Sequence, residues 1–156
     1  MCEPRRSIAA AIFALLCMGI ASASTTVVHD TTLVPYTVVN GTIPRSLTGV
    51  PGNPATGLAI VKNRKLGNCI ACHSMPIANE AFPGNVGPDL KGVGGYLSVA
   101  QLRLRIVNAK LINPDTIMPA YYRVAGLTDV AKKFVGKPIL TAQQVEDVVA
   151  YLSTLK

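Results

Sequence analysis

Residues 69–73 of this chain, Cys69-Ile70-Ala71-Cys72-His73, decide the fold that we expect for it. The C-x-x-C-H pattern is typical of covalent haem attachment. Two thiols three positions apart on one turn can each form a thioether with one vinyl group of the porphyrin. The next residue, His73, can then direct its imidazole at the iron as the proximal ligand. The sequence therefore predicts one covalently attached haem c, held by Cys69 and Cys72 and ligated by His73.

Three other interpretations of the motif are less well supported. A structural zinc site needs four ligands, and beyond the motif the chain after residue 23 offers only His29 as a further Cys or His donor. A thioredoxin-type redox pair is expected near a βαβ pattern, which this sequence does not show. A structural disulfide between Cys69 and Cys72 would leave the thin core of a small domain unexplained.

The second axial ligand is predicted by elimination among the methionines and the remaining histidine. Iron in cytochromes c is commonly held by His and Met. Met75 follows His73 too closely to reach the opposite face of the ring, whereas Met118 lies far downstream, where Pro119 favours extended backbone. We therefore expect Met118 to ligate the iron. Two alternatives remain. His29 could be the second axial ligand, or this position on the iron could be vacant or occupied by water.

Pro88 belongs to a glycine- and proline-rich loop about 15 residues after the haem motif. Two interpretations of this loop stay open on the sequence alone. It is either a plain turn, or its Pro88 carbonyl accepts a hydrogen bond from the proximal imidazole and so fixes the orientation of the ring.

The N-terminus has the three parts of a secretory signal peptide: a basic start, an apolar run over residues 8–20, and small residues at 21–23. The run is shorter than the roughly 20 residues that span a bilayer. We expect residues 1–23 to be removed, the mature chain to lie in the periplasm, and no membrane span to remain. The general secretory route is favoured over twin-arginine export, and an uncleaved anchor or a lipoprotein through Cys17 is less favoured.

The charge and the cysteine content indicate which partners and which structural bonds to expect. The formal net charge is +7 at pH 7 and falls to +6 without residues 1–23, which carry Arg5, Arg6 and Glu3. This mildly basic balance suggests docking to an acidic protein partner. Nucleic acid is not an expected partner, because the compartment is wrong and the basic residues are scattered. Only Cys69 and Cys72 lie outside the signal peptide, so the mature chain has no disulfide framework.

Three regions are predicted along the chain: the signal peptide at 1–23, an extended N-terminal arm at 24–54, and a compact all-α domain at 55–156. The arm is rich in Thr, Val, Pro and Gly, which disfavours a helix; a short strand could form there. We expect the arm to lie against the domain or against a partner.

Three helices are predicted within the domain. The first covers about 55–66 and ends near Gly67, and the second covers about 98–109. The last is the clearest, because Thr141 and Gln144 form a capping box ahead of a regular apolar stripe.

This order of parts resembles the class I cytochromes c, in which three to four short helices surround one covalent haem. More narrowly, the chain is similar over about residues 38–156 to SoxX, the small cytochrome subunit of the sulfur-oxidising SoxAX complex. The stretches that carry the similarity are 63–69, 82–88, 117–123 and 140–152. By this resemblance Cys69 and Cys72 hold the haem, and His73 and Met118 ligate it.

The resemblance implies an electron-transfer function. The chain would bind a SoxA-type dihaem or monohaem cytochrome subunit, whose cysteine joins thiosulfate to a cysteine of a transiently bound carrier protein. This activity is L-cysteine S-thiosulfotransferase, and the electrons released would pass to an acceptor cytochrome. No cysteine here is left for the sulfur chemistry, so the catalytic residue is expected on the partner. The alternatives are a free soluble periplasmic electron carrier and a haem sensor or enzyme with an open iron site.

A further hypothesis concerns Tyr121, Tyr122 and Arg123, directly after the Met118 loop. Tyrosine is common at protein interfaces because its ring is apolar and its tip polar. We assign these three residues to a partner surface. The alternative is that both tyrosines pack against the haem edge.

Overall fold

A computed structural model describes residues 23–28 and 33–156. Most of the expected signal peptide and His29 lie outside the described residues. None of the helices in these described stretches combines the length and the apolar character that a membrane span requires. The elements are strands β1 (Thr25–Val28) and β2 (Tyr36–Val39), helices α1 (Pro54–Lys62), α2 (Val93–Tyr96), α3 (Val99–Asn108) and α4 (Ala142–Thr154), and 3-10 turns at Cys69–Ala71, Ala109–Leu111 and Lys132–Phe134.

Helix α1 begins where the sequence predicts and ends earlier than expected. Asn53 caps its start by accepting hydrogen bonds from the amides of Ala55 and Thr56. The helix stops at Lys62 rather than near 66, because the Asn63 side chain accepts from the amide of Lys65 at 2.9 Å. Such a local side-chain bond offers the backbone an alternative to the helical pattern.

Helices α3 and α4 both begin with the capping boxes that their sequences predict, Ser98 with Gln101 and Thr141 with Gln144. Helix α2 was not predicted, since two of its four residues are glycines. One of these, Gly94, lets α2 approach α4: an added Cβ would lie 2.5 Å from the Ser153 carbonyl oxygen.

Helices α1 and α4 cross at Gly57. A Cβ at this position would overlap the carbonyl oxygen of Asp147, so the two backbones are in direct contact. The apolar side of α4, including Val145, Val148 and Val149, is fully buried against the other helices. This crossing forms the centre of the core.

The N-terminal arm is less irregular than expected and belongs to the core of the chain. Strands β1 and β2 form an antiparallel hairpin, with Thr25 opposite Val39. After the hairpin, Ile43 and Leu47 are buried at 1% and 5% exposure, and the Ile43 amide donates to the Ala100 carbonyl at 3.1 Å. Of the two expected positions for the arm, the structure shows it against the domain.

A buried ion pair fastens the arm to two helices. Arg103 of α3 donates to both carboxylate oxygens of Glu146 of α4, at 2.8 and 3.0 Å, and each side chain is 5% exposed. The same arginine donates to the Ile43 carbonyl at 2.7 Å, and Glu146 accepts from the Leu47 amide at 2.8 Å. The charges are therefore fully hydrogen-bonded inside the protein, as buried charges need to be.

Candidate functional site

A largely apolar cleft of about 570 Å³ lies between the helices. Its volume falls within the roughly 300–1,000 Å³ that is usual for cofactor sites. The four residues predicted to hold the haem all line it: Cys69, Cys72, His73 and Met118. The structure therefore brings the attachment motif and the distant methionine to one site.

The attachment motif is built on a single tight turn. Asn68 adopts the left-handed conformation, with φ at 48°, and Cys69–Ala71 then form a 3-10 turn. The amides of Cys72 and His73 both donate to the Cys69 carbonyl, at 3.1 and 2.9 Å. The motif residues thus share one turn of backbone, with Cys69 buried and Cys72 half-buried.

The surroundings of Cys69 disagree with a thioredoxin-type redox pair. Burial raises the pKa of the Cys69 thiol to about 11, although a hydrogen bond with Tyr121 partly offsets the effect. Nucleophilic cysteines of the thioredoxin type have a lowered pKa instead. In residues 23–28 and 33–156 no three His, Cys, Asp or Glu residues come together as a metal site, and His29, the further donor considered for zinc, lies outside these residues.

The imidazole of His73 is held in one orientation from two sides. Its Nδ1 lies 2.8 Å from the Pro88 carbonyl oxygen and donates its proton to it, which leaves Nε2 with a lone pair for a metal. Behind the ring is Gly87, where an added Cβ would lie 2.6 Å from His73 Nδ1. Of the two interpretations of the Pro88 loop, the structure shows the hydrogen-bond acceptor.

The loop from residue 84 to residue 90 is itself fixed to the attachment turn. The Gly84 amide donates to Ile70, the Gly87 amide to Cys72, and the Leu90 amide to Ser74, at 2.7 to 2.9 Å. The acceptor for the His73 proton is therefore part of the same rigid unit as the histidine.

Met118 reaches the cleft from a loop that follows the Ala109–Leu111 turn. Its amide donates to the Thr116 hydroxyl at 3.2 Å, and Lys110 Nζ donates to the Thr116 carbonyl at 2.6 Å. Met75 is buried in the core at 8% exposure and does not line the cleft. Ligation of iron by Met118 stays a prediction, with the methionine now placed in the cleft.

The structure changes the assignment of the two tyrosines. Tyr121 and Tyr122 are 7% and 3% exposed, so their side chains pack inside this chain rather than on a partner surface. Tyr121 lines the cleft, in agreement with the alternative interpretation, whereas the Tyr122 hydroxyl accepts from the Val34 amide at 2.8 Å. Arg123 is half-exposed and donates to the carbonyls of Ala125 and Gly126, so partner contact stays a prediction for this residue alone.

One residue of the site had no separate role in the sequence analysis: Gly87, which leaves room for the His73 ring. Its position directly before Pro88 was a usable signal. Tyr121, which the sequence analysis assigned to a partner surface, instead forms part of the cleft wall. Together, the apolar walls, paired cysteines and oriented histidine fit a covalently bound haem.

Comparison with known proteins agrees with this geometry. The cytochrome c family profile matches residues 55–156. Among solved structures, the chain is similar to the crystal structure of SoxXA from P. pantotrophus, with 45% sequence identity and a TM-score of 0.72, covering 78% of this chain and 94% of that one. No curated protein sequence matches significantly. By the profile match and this similarity, the chain belongs to the class I cytochrome c family and, within it, to the SoxX cytochromes.

Proposed function

We propose that this protein is the single-haem electron-transfer subunit of a periplasmic, thiosulfate-oxidising SoxAX complex. The observation that carries the proposal is the 45% identity to a chain of SoxXA, which extends over 94% of that chain. It is supported by the cleft, where the predicted haem-binding residues meet.

Cys69 and Cys72 would hold the haem through thioethers, and His73 and Met118 would ligate its iron. When bound, haem c supplies a centre that takes up and releases one electron at a time. The chain's own residues define the surroundings of that centre. Pro88 fixes the His73 proton on Nδ1, and apolar residues such as Leu102 and Ile106 limit access of water to the cleft.

The sulfur chemistry would take place on a partner. Beyond the expected signal peptide the chain has only Cys69 and Cys72, and both are committed to the haem in this proposal. The partner is then a SoxA-type dihaem or monohaem subunit, which joins thiosulfate to a cysteine of a carrier protein. The electrons released would pass through this chain to an acceptor cytochrome. Cleavage after residue 23 would deliver the chain to the periplasm.

Purification of the tagged full-length chain from thiosulfate-grown cells tests this role. We expect a covalent haem on this chain, an N-terminus at residue 24, and a second haem-bearing subunit in equal amount. A holoprotein that purifies without any stoichiometric partner would instead indicate a free electron carrier.

Carbon monoxide distinguishes a ligated iron from an open one. The reduced wild-type protein should not bind carbon monoxide, whereas Met118→Ala should bind it. Met75→Leu is a matched control, because Met75 packs in the core away from the cleft. Ready binding by the wild type would point to a haem sensor or enzyme and contradict the proposal.

A further inference from the structure

We propose that Tyr121 is a positioning residue that keeps Met118 at the iron by joining the Met118 loop to the attachment loop. The inference rests on the haem ligation in the proposed function. Its central contact is a hydrogen bond in which the Tyr121 hydroxyl donates to the Gly67 carbonyl at 2.9 Å, between residues 54 positions apart.

One end of this contact lies beside the attachment cysteine. Gly67 is buried and precedes Cys69 by two residues. It is also tightly enclosed, since an added Cβ would lie 2.8 Å from the Ile60 carbonyl oxygen and 3.3 Å from Cys69 Sγ. The Tyr121 hydroxyl therefore meets the part of the chain that is expected to be fixed covalently to the cofactor.

The other end is equally well fixed. The Tyr121 amide donates to the Ile106 carbonyl of α3 at 3.2 Å, and its carbonyl accepts from the Leu140 amide at 3.0 Å. The ring is 7% exposed and forms part of the cleft wall. With its backbone bonded on both sides and its ring enclosed, Tyr121 cannot turn away without breaking several contacts.

The Met118 loop needs such a fixed point because its own contacts are local. Met118 is bonded to Thr116, and Thr116 to Lys110, all within nine positions along the chain. Ile117, the neighbour of Met118, is 78% exposed. Among the described residues, Tyr121 makes the first long-range main-chain hydrogen bond after Met118. Tyr121 thus sets where the C-terminal end of this loop lies relative to Cys69.

The adjacent tyrosine provides a matched control. Tyr122 is also buried, and its hydroxyl also makes a long-range hydrogen bond, but the partner is the Val34 amide of the arm. Its ring packs against Tyr36, with centroids 6.4 Å apart. Replacing either tyrosine by phenylalanine removes one oxygen atom from the interior. Only Tyr121→Phe removes the hydroxyl that joins the Met118 loop to the attachment loop through Gly67.

Competition between Met118 and added imidazole tests the proposal. Oxidised holoprotein at pH 7 is titrated with imidazole while the weak Met–iron charge-transfer band is followed. A buried hydrogen bond contributes about 1 kcal/mol net, so Tyr121→Phe should bind imidazole about fivefold more tightly than wild type. Tyr122→Phe should stay within about twofold of wild type, although urea should unfold both variants more readily.

The outcomes separate this inference from the proposed function. A wild-type protein without the band would remove Met118 as a ligand, and with it both the His73–Met118 ligation in the proposed function and the role of Tyr121. A wild type with the band, together with equal imidazole affinities for wild type and Tyr121→Phe, would overturn the role of Tyr121 alone. Equal changes in both tyrosine variants would also overturn it, because general destabilisation would then account for the effect.

Discussion

Gly87 lies so close to His73 that a single added methyl group would overlap the imidazole, with 2.6 Å to Nδ1 and 2.8 Å to Nε2. The contact is made by the ring that also donates to the Pro88 carbonyl. One face of the His73 ring is therefore closed by backbone, and the position of the ring depends on the absence of a side chain at residue 87.

Gly87→Ala should displace the His73 ring and weaken its bond to Pro88. Loss of a partner that orients a metal-binding histidine typically costs 10- to 100-fold in affinity or activity. We expect less covalently loaded protein and a visible high-spin fraction in its absorption spectrum. Gly95→Ala is the control, because a Cβ there meets nothing within 4 Å. An unchanged spectrum in Gly87→Ala would contradict the steric argument.

Glu146→Gln should strongly destabilise the protein. The substitution keeps the size of the side chain but leaves the Arg103 charge buried without its counter-ion, which typically costs about 3–5 kcal/mol. Urea unfolding of the holoprotein measures the loss. Arg64→Gln, which removes an exposed charge, should change stability by less than about 0.5 kcal/mol. Equal unfolding midpoints for wild type and Glu146→Gln would show that the pair is not coupled to folding.

Gly57→Ala should destabilise the protein, although replacing glycine by alanine within a helix usually stabilises it. In an open helical position alanine stabilises by about 1 kcal/mol. At residue 57 the added methyl would overlap the Asp147 carbonyl, and overpacking of this kind costs about 1–3 kcal/mol. Thermal unfolding should show a lower midpoint for Gly57→Ala and no decrease for Gly95→Ala. A more stable Gly57→Ala protein would mean that α1 and α4 can separate freely.

Alkaline pH should destabilise the protein partly through Tyr121. Burial is the main cause that raises the pKa of this phenol above its ordinary value of 10.0. The stability that the protonated Tyr121 phenol contributes to the folded state is complete below about pH 10. It is lost as pH rises further, because the unfolded chain then releases a proton that the folded chain retains. Between pH 8 and pH 10.5, the urea concentration at the unfolding midpoint should decrease less for Tyr121→Phe than for wild type. The exposed Tyr96 offers the control, and Tyr96→Phe should decline like wild type.

The parts of this structure that sequence analysis predicts well are those specified by neighbouring residues. The turn at Cys69–Ala71 and the capping boxes of α3 and α4 each depend on residues within four positions of one another. Local patterns of this kind appear directly in the sequence. For the Pro88 loop, 15 positions from His73, the sequence left a plain turn and a hydrogen-bond acceptor both open, and the structure shows the acceptor.

What sequence analysis missed depends on contacts between distant segments. Ile43 and Leu47 are single apolar residues in a segment rich in proline and glycine, with no periodicity to mark them as core. Their burial follows from Arg103 and Glu146, which bond to their backbones from 60 and 99 positions away. Tyr121 turns inward for a similar reason, since its partner Gly67 lies 54 positions away.

The two halves of the cofactor site differ in how much chain must be ordered to complete them. His73 and Pro88 come together across a separation of only 15 positions, whereas the Tyr121–Gly67 contact closes a loop more than three times as long. Shorter loops close at lower entropic cost and sooner in time. During refolding, the amides of Gly84 and Gly87 should therefore become protected from pulsed hydrogen exchange before that of Tyr121, and the reverse order would refute this sequence of events. The turn that carries Cys69, Cys72 and His73 can therefore fold first, before the Met118 loop is in place.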